Sequence, residues 1–346
     1  MENNFKEDIK FNCNVSDALY WGFFSICGLL LRYRDLYRSE KGLKAWANIS
    51  RTDIAAWIEA KEARWPELED QEFRDLTIDG RTYGPFEVEA VNQALAPRGL
   101  VYGAGYSMYM KPSFFLAELL STRQVDGLTV MTSGPEIVRD LLTAPAMLQE
   151  KSVFLRLEPL MMLLHFKLGE LNTKSDPLLE EAFSHYGFKE RQLMDETFEK
   201  RLQELAEAYA EVIVAHEVGE YREGVPEWMD ILTAAGDRKN EHYLRAIKDL
   251  LADTSEAGPL RRIIETKDRG ALGLWTALME GFPRVMYPEI RQAVKEFRAS
   301  GDWGVIESTR KAGCERFRLE RERVLELFRK SGKNGFAGQL RETISV

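Results

Sequence analysis

A histidine and a carboxylate four residues apart on one helix project from adjacent turns of the same face. They can grip one cation together, or form a plain hydrogen-bonded pair. The chain has four histidines, His165, His185, His216 and His242. His216 falls within the run Glu196–Glu223, ETFEKRLQELAEAYAEVIVAHEVGEYRE, with Glu220 four residues on and Glu217 beside it. Neutral imidazole with carboxylates is a donor set for Fe, Mn or Zn. The same pair without a metal is a core histidine oriented by an acid. His-Glu-x-x-Glu lacks the second histidine of the zinc-protease pattern His-Glu-x-x-His. His165 lies in the apolar run Leu160–Leu168, with Glu158 seven residues before it. The candidate metal ligands are therefore His216, Glu220, Glu217 (ligand or base) and His165, the last from a second helix.

The elements that must position these groups are helices. Phe198, Leu202, Leu205, Tyr209, Val212, Ile213 and His216 recur at steps of three and four. That period predicts one amphipathic helix over Glu196–Glu223 with His216 facing a core. Gly219 leaves a gap in that face where another group can approach. From Pro159 onward the pattern is helical throughout. Helices are expected over Pro159–Leu171, Leu178–Tyr186, Glu227–Ala235, Asn240–Ala252, Pro259–Thr266, Ala271–Glu280, Pro288–Arg298 and Asp302–Lys330, with a loosely held tail from Ser331. Glu181 and His185, four apart, add a further pair. Several helices can thus send histidines and carboxylates into one bundle interior, the way di-iron and di-manganese carboxylate sites are built.

The spacing of Glu158 with His165 and of His216 with Glu220 is similar to that of the haem-oxygenase-like di-metal oxidases. Those carry a carboxylate and a histidine seven apart on one helix, and a histidine–carboxylate pair four apart on a later one. The resemblance implies a di-metal oxidase site on these four residues. No intervening carboxylate helix of the expected separation is present, and Pro159 disfavours helical backbone at Glu158.

The first half has a different texture. A polar lead-in, Met1–Asn14, precedes a helix over Asp17–Arg38 capped by Ser16; its first half is apolar nearly all round and is expected to be buried. Short helices follow at Gly42–Ala47 and Thr52–Ala63. Leu76–Ile78 and Arg81–Tyr83 flank Asp79-Gly80, a tight-hairpin signal. A helix over Phe86–Ala96 leads to strands at Leu100–Met110, Phe114–Ser121, Leu128–Thr132 and Ser152–Leu157. Asp126-Gly127 marks a second turn, and Ser133-Gly134-Pro135-Glu136 reads as the start of a helix to Leu142. Gly103-Ala104-Gly105 is no dinucleotide loop, because Met108 stands where the third glycine belongs. Close backbone packing or a strand bulge is the reading for these glycines.

The fold class is therefore α+β, predominantly helical, with a small mixed or antiparallel sheet in the first half and an all-helical second half. The organisation reads as a helical segment 1–67, a sheet region 68–157 and a helical domain 158–346. A net charge of -9 over 346 residues, acids and bases interspersed, argues against nucleic-acid binding. The longest uncharged stretch, Ala18–Leu31, is too short to span a bilayer and is a poor signal peptide. Cys13, Cys27 and Cys314 form no Cys-x-x-Cys pair, which suits a reduced, cytoplasmic protein. No P-loop or nucleophile elbow occurs. Two functional classes follow. The absence of motifs favours a protein- or ligand-binding protein without a cofactor, engaging its partner through the helical half, where Trp228, Trp275 and Trp303 are candidate anchors. The alternative is a metal-dependent enzyme, oxidase-like or hydrolytic, with its site in that half.

Overall fold

The computed structural model describes residues 4–171, 176–188 and 194–344. The chain is α+β and mostly helical, and it forms two compact units, Met1–His165 and Phe166–Val346.

In the first unit, α1 (Asn4–Tyr20) is followed by a one-turn 3-10 helix and α2 (Ile26–Glu40). The expected lead-in is therefore helical, and the expected single helix is broken around Gly22. Ser25 caps α2 by accepting from Gly28 N, whereas Ser16 lies inside α1 and donates to the Pro112 carbonyl. The apolar start of α2 is not buried: Ile26 is 80% exposed, with Trp21, Leu30 and Leu31 also exposed. Next come α3 (Arg51–Glu62) and α4 (Trp65–Leu68); the expected helix at 42–47 is a turn region.

The hairpin of β1 (Leu76–Ile78) and β2 (Arg81–Tyr83) pairs in the expected register, Leu76 opposite Tyr83. After α5 (Val88–Leu95) the main sheet is built from β3 (Leu100–Tyr106), β4 (Pro112–Val125), β5 (Leu128–Arg139), β6 (Ala146–Gln149) and β7 (Ser152–Arg156). Its order is β3-β4-β5-β7-β6, and the β5–β7 pair alone is parallel, so the sheet is mixed. The helix expected from Ser133 to Leu142 is instead the second half of β5. Pairing with β4 resumes there after register shifts near Leu119, and this non-local ladder outweighs the local capping signal. Gly103 and Gly105 serve close packing, as a Cβ on Gly103 would lie 2.1 Å from the Phe115 ring.

One sheet face packs Tyr102, Phe114 and Leu116 against Phe5, Ile9 and Cys13 of α1. The amine of Lys111 is buried between α1 and the sheet, 3.3 Å from Asp17 and 3.2 Å from Asp140. Asp17 accepts from Leu141 N, and Asp140 from Phe114 N and Leu142 N. This satisfied buried network pins α1 to the ends of β4 and β5.

The chain then runs through α6 (Leu157–Glu170), which includes Glu158 despite Pro159. Proline is tolerated in a first turn, where its missing N–H has no helical partner. The second unit holds α7 (Pro177–His185), α8 (Glu196–Glu223), α9 (Trp228–Thr233), α10 (Arg238–Thr254), α11 (Pro259–Thr266), α12 (Arg269–Leu278), α13 (Gly281–Met286), α14 (Pro288–Ser300) and α15 (Trp303–Thr343). The tail expected to be loose is instead docked. Gly332, at φ 63°, kinks α15, and the turns beyond it bury Phe336 and Leu340 against Trp228, Ile231 and Leu244. Trp228 and Trp275 are core residues, and Trp303 packs on Phe297. Among the described residues, no helix is long and apolar enough to cross a membrane.

Candidate metal centre between two helices

Helix α8 spans the predicted residues. Asp195 caps it by accepting from Phe198 N at 2.9 Å, and Phe198, Leu202, Leu205, Tyr209 and Val212 are buried along its core face. Helix α10 is capped in the same way, Asp237 accepting from Asn240 N at 2.9 Å. It buries Leu244, Ile247, Leu250 and Leu251. Near their C-terminal ends the two helices come close. A Cβ on Gly219 would stand 2.6 Å from the Ala252 carbonyl oxygen, so a side chain at 219 would drive α8 away from α10.

That approach sets two pairs of side chains opposite each other. His216 and Glu220 come from α8; Asp249 and Asp253 come from α10, each pair four residues apart. His216 Nδ1 lies 2.7 Å from Asp253 Oδ1, and Nε2 lies 3.2 Å from Glu220 Oε1. The other Glu220 oxygen accepts from Lys248 Nζ at 2.6 Å. One ligand atom each from His216, Glu220 and Asp249 lies within 4.8 Å of the others. A tetrahedral ion with bonds near 2.1 Å needs ligand atoms about 3.4 Å apart, so a small inward rotation of these side chains would close the set.

The electrostatics belong to a crowded acidic pocket. Burial works to lower the pKa of His216, but the charge and hydrogen bond of Asp253, with those of Glu220, override it and hold the imidazole well above its ordinary value. Burial works to raise Glu220, yet the Lys248 ammonium and the His216 hydrogen bond keep it well below the carboxylate range. For Asp249 and Glu217 the Lys248 and His216 charges also pull downward, but they do not prevail. Burial, then the charge of Glu220, pushes each up to about 7. Four carboxylates thus face one imidazole and one ammonium, and Asp249 and Glu217 are each partly protonated near neutral pH because burial and the Glu220 charge outweigh the Lys248 and His216 charges.

The pair His216 and Glu220 is therefore together, with Glu217 buried beside it. His165 belongs to the first unit, where it is half-buried near the Trp46 ring; burial, then the Arg38 charge, lowers its pKa. Glu158 accepts from Glu136 N at 2.8 Å, also within that unit. Glu181 is engaged by Arg298 at 2.6 Å, and His185 lies 3.8 Å from Asp268. Sequence reasoning missed Lys248, Asp249 and Asp253. The signal was present in α10: two aspartates at the same four-residue step as the His216–Glu220 pair.

The chain belongs to a family of unknown function, DUF6866. The model of that family's N-terminal domain matches residues 4–156, and the model of its C-terminal domain matches residues 162–345. No curated protein and no solved structure matches the chain.

Proposed function

We propose that the C-terminal unit binds one divalent transition-metal ion, Zn, Fe or Mn, through His216, Glu220 and Asp249. The observation that carries this reading is the facing of two four-residue pairs across Gly219, with more negative charge than Lys248 and His216 neutralise. Asp253 then acts as the carboxylate that fixes the tautomer and direction of a ligating imidazole through Nδ1. Lys248 holds the non-ligating oxygen of Glu220. Three protein donors leave a position for water or substrate, where a bound ion would supply Lewis-acid activation. Glu217, with its pKa near 7, is suited to hold or pass a proton beside the site at neutral pH. The chemistry supported is metal-assisted hydrolysis or a related polar reaction.

The test is elemental analysis of purified, untagged protein after metal reconstitution and gel filtration. About one ion per chain is expected for the wild type, and none for His216→Ala or Asp249→Asn. Equal metal content in wild type and both variants, or none in any, would sink the proposal. The cluster would then be an electrostatic staple between α8 and α10.

A further inference from the structure

The turn between α1 and α2 leaves an apolar surface exposed. Leu19 lies at the end of α1, Trp21 and Phe23 form the one-turn 3-10 helix, and Ile26, Leu30 and Leu31 lie on the first turns of α2. All six are exposed, Ile26 at 80%, Leu31 at 50% and Trp21 at 43%. They fall in Ala18–Leu31, the run of fourteen residues that carries no charge. On α2 the pairs Ile26 and Leu30, and Cys27 and Leu31, each repeat at a step of four, so they share one exposed face.

This surface is held in shape. Ser25 caps α2 by accepting from Gly28 N at 3.1 Å. Trp21 stacks on the buried Trp65 at 5.4 Å, and Phe23 stacks on Tyr109 at 4.9 Å. Tyr109 and Met110, in the loop between β3 and β4, are both at positive φ, 62° and 54°. Backbone strained in this way persists only where its surroundings fix it. A surface that is already fixed loses little entropy when it is covered.

The six side chains expose on the order of 600 Å², the top of the range for the largest apolar patch on a monomer. Set against its own copy across a two-fold axis, the patch counts twice and buries about 1,200 Å² in total, the lower edge for a stable, specific interface. With no charge inside it, the patch meets itself without a clash of sign or a desolvated ion. Its flanks carry both signs: Arg34 on α2, and Glu62, Arg64, Glu67, Glu69 and Asp70 on either side of Trp65 in the chain, all exposed. An apolar centre with a mixed polar rim is the anatomy of a protein–protein interface. An anionic lipid surface selects a basic rim instead, and repels a chain of net charge -9.

We propose that this patch is a self-association surface: two copies of the chain pack their α1–α2 turns together about a two-fold axis, with Ile26 and Leu30 at the centre and Trp21 and Phe23 beside them. The surface lies wholly within the first unit and does not depend on metal binding by the second.

The test is sedimentation equilibrium of the full-length protein at physiological ionic strength, from about 1 to 200 µM. A reversible monomer–dimer equilibrium is expected, with a Kd of roughly 1–100 µM for an interface of this size. Ile26→Glu/Leu30→Glu would force two carboxylates per copy into the contact and should raise Kd about tenfold or more. Both positions are exposed, so the thermal midpoint of the monomer should stay within a few degrees of wild type. A chain that stays monomeric at the highest concentration overturns the proposal, as does a dimer whose Kd the double variant changes by less than about twofold. Monomeric protein that instead co-sediments with phosphatidylcholine–phosphatidylserine vesicles, and loses this in the double variant, gives the patch to a lipid surface and overturns it equally. Should the double variant not fold, Leu31→Glu alone must weaken the dimer, and failure to do so is then fatal.

Discussion

Adding Zn²⁺ to the metal-free protein at pH 7 should expel protons, and the structure sets how many. His216 is held well above its ordinary pKa by Asp253 and Glu220, so it is almost fully protonated at pH 7 and must lose about one proton before Nε2 can ligate. Asp249 is pushed up to about 7, so it carries about half a proton, which a ligating carboxylate also gives up. Glu217, likewise pushed up to about 7, is not a ligand, but a nearby dication lowers its pKa and frees up to about half a proton more. The expected release is therefore about one and a half to two protons per ion. Apparent affinity must accordingly rise with pH. The slope of log K against pH should be about 1.5 to 2 near pH 7, easing toward about 1 once the two carboxyls are already ionised. The assay is calorimetric titration in buffers of different ionisation enthalpy, with heat plotted against that enthalpy. Tight one-to-one binding that releases less than about half a proton would refute the reasoning, because His216 could not then be a ligand.

Two further outcomes test the framework that holds the sites. Lys111→Met leaves Asp17 and Asp140 buried without their cation and should cost roughly 3–5 kcal/mol in denaturant unfolding; a loss below about 1 kcal/mol would mean the network is not holding α1 to the sheet. Gly219→Ala places a methyl 2.6 Å from the Ala252 carbonyl and should cost roughly 1–3 kcal/mol, with metal affinity falling as α8 and α10 part; unchanged affinity would separate the site from that contact.

The long helix carrying His216 was legible because its period is sustained over the whole of Glu196–Glu223, and the Asp79-Gly80 hairpin because its turn chemistry is local. The errors came where distant partners decide. Ser133-Gly134-Pro135-Glu136 has the local form of a helix start, yet the ladder from β4 keeps it extended as far as Arg139. Ala18–Leu31 was read as a buried helix on hydropathy, but Gly22 lies in a break and much of the apolar surface around it stays exposed. The site was half legible for the same reason. His216 and Glu220 share one helix and can be paired by counting. Asp249 and Asp253 sit on another helix, and only the close approach at Gly219 shows that the two pairs face each other.

The two units meet buried charge in different ways. Around Lys111 each carboxylate is met by backbone N–H groups as well as the ammonium, so the charged forms are supplied with partners at fixed positions. Burial still raises Asp17, to about 6, but the Lys111 charge and the Leu141 N–H keep it below Asp249 and Glu217. Around His216 the acids outnumber the bases, and Asp249 and Glu217 manage the excess only by holding protons near pH 7. A dication bound between α8 and α10, as proposed, would relieve that excess. The residues that a purely structural protein would have replaced with apolar packing are thus the ones whose ligands should be sought first.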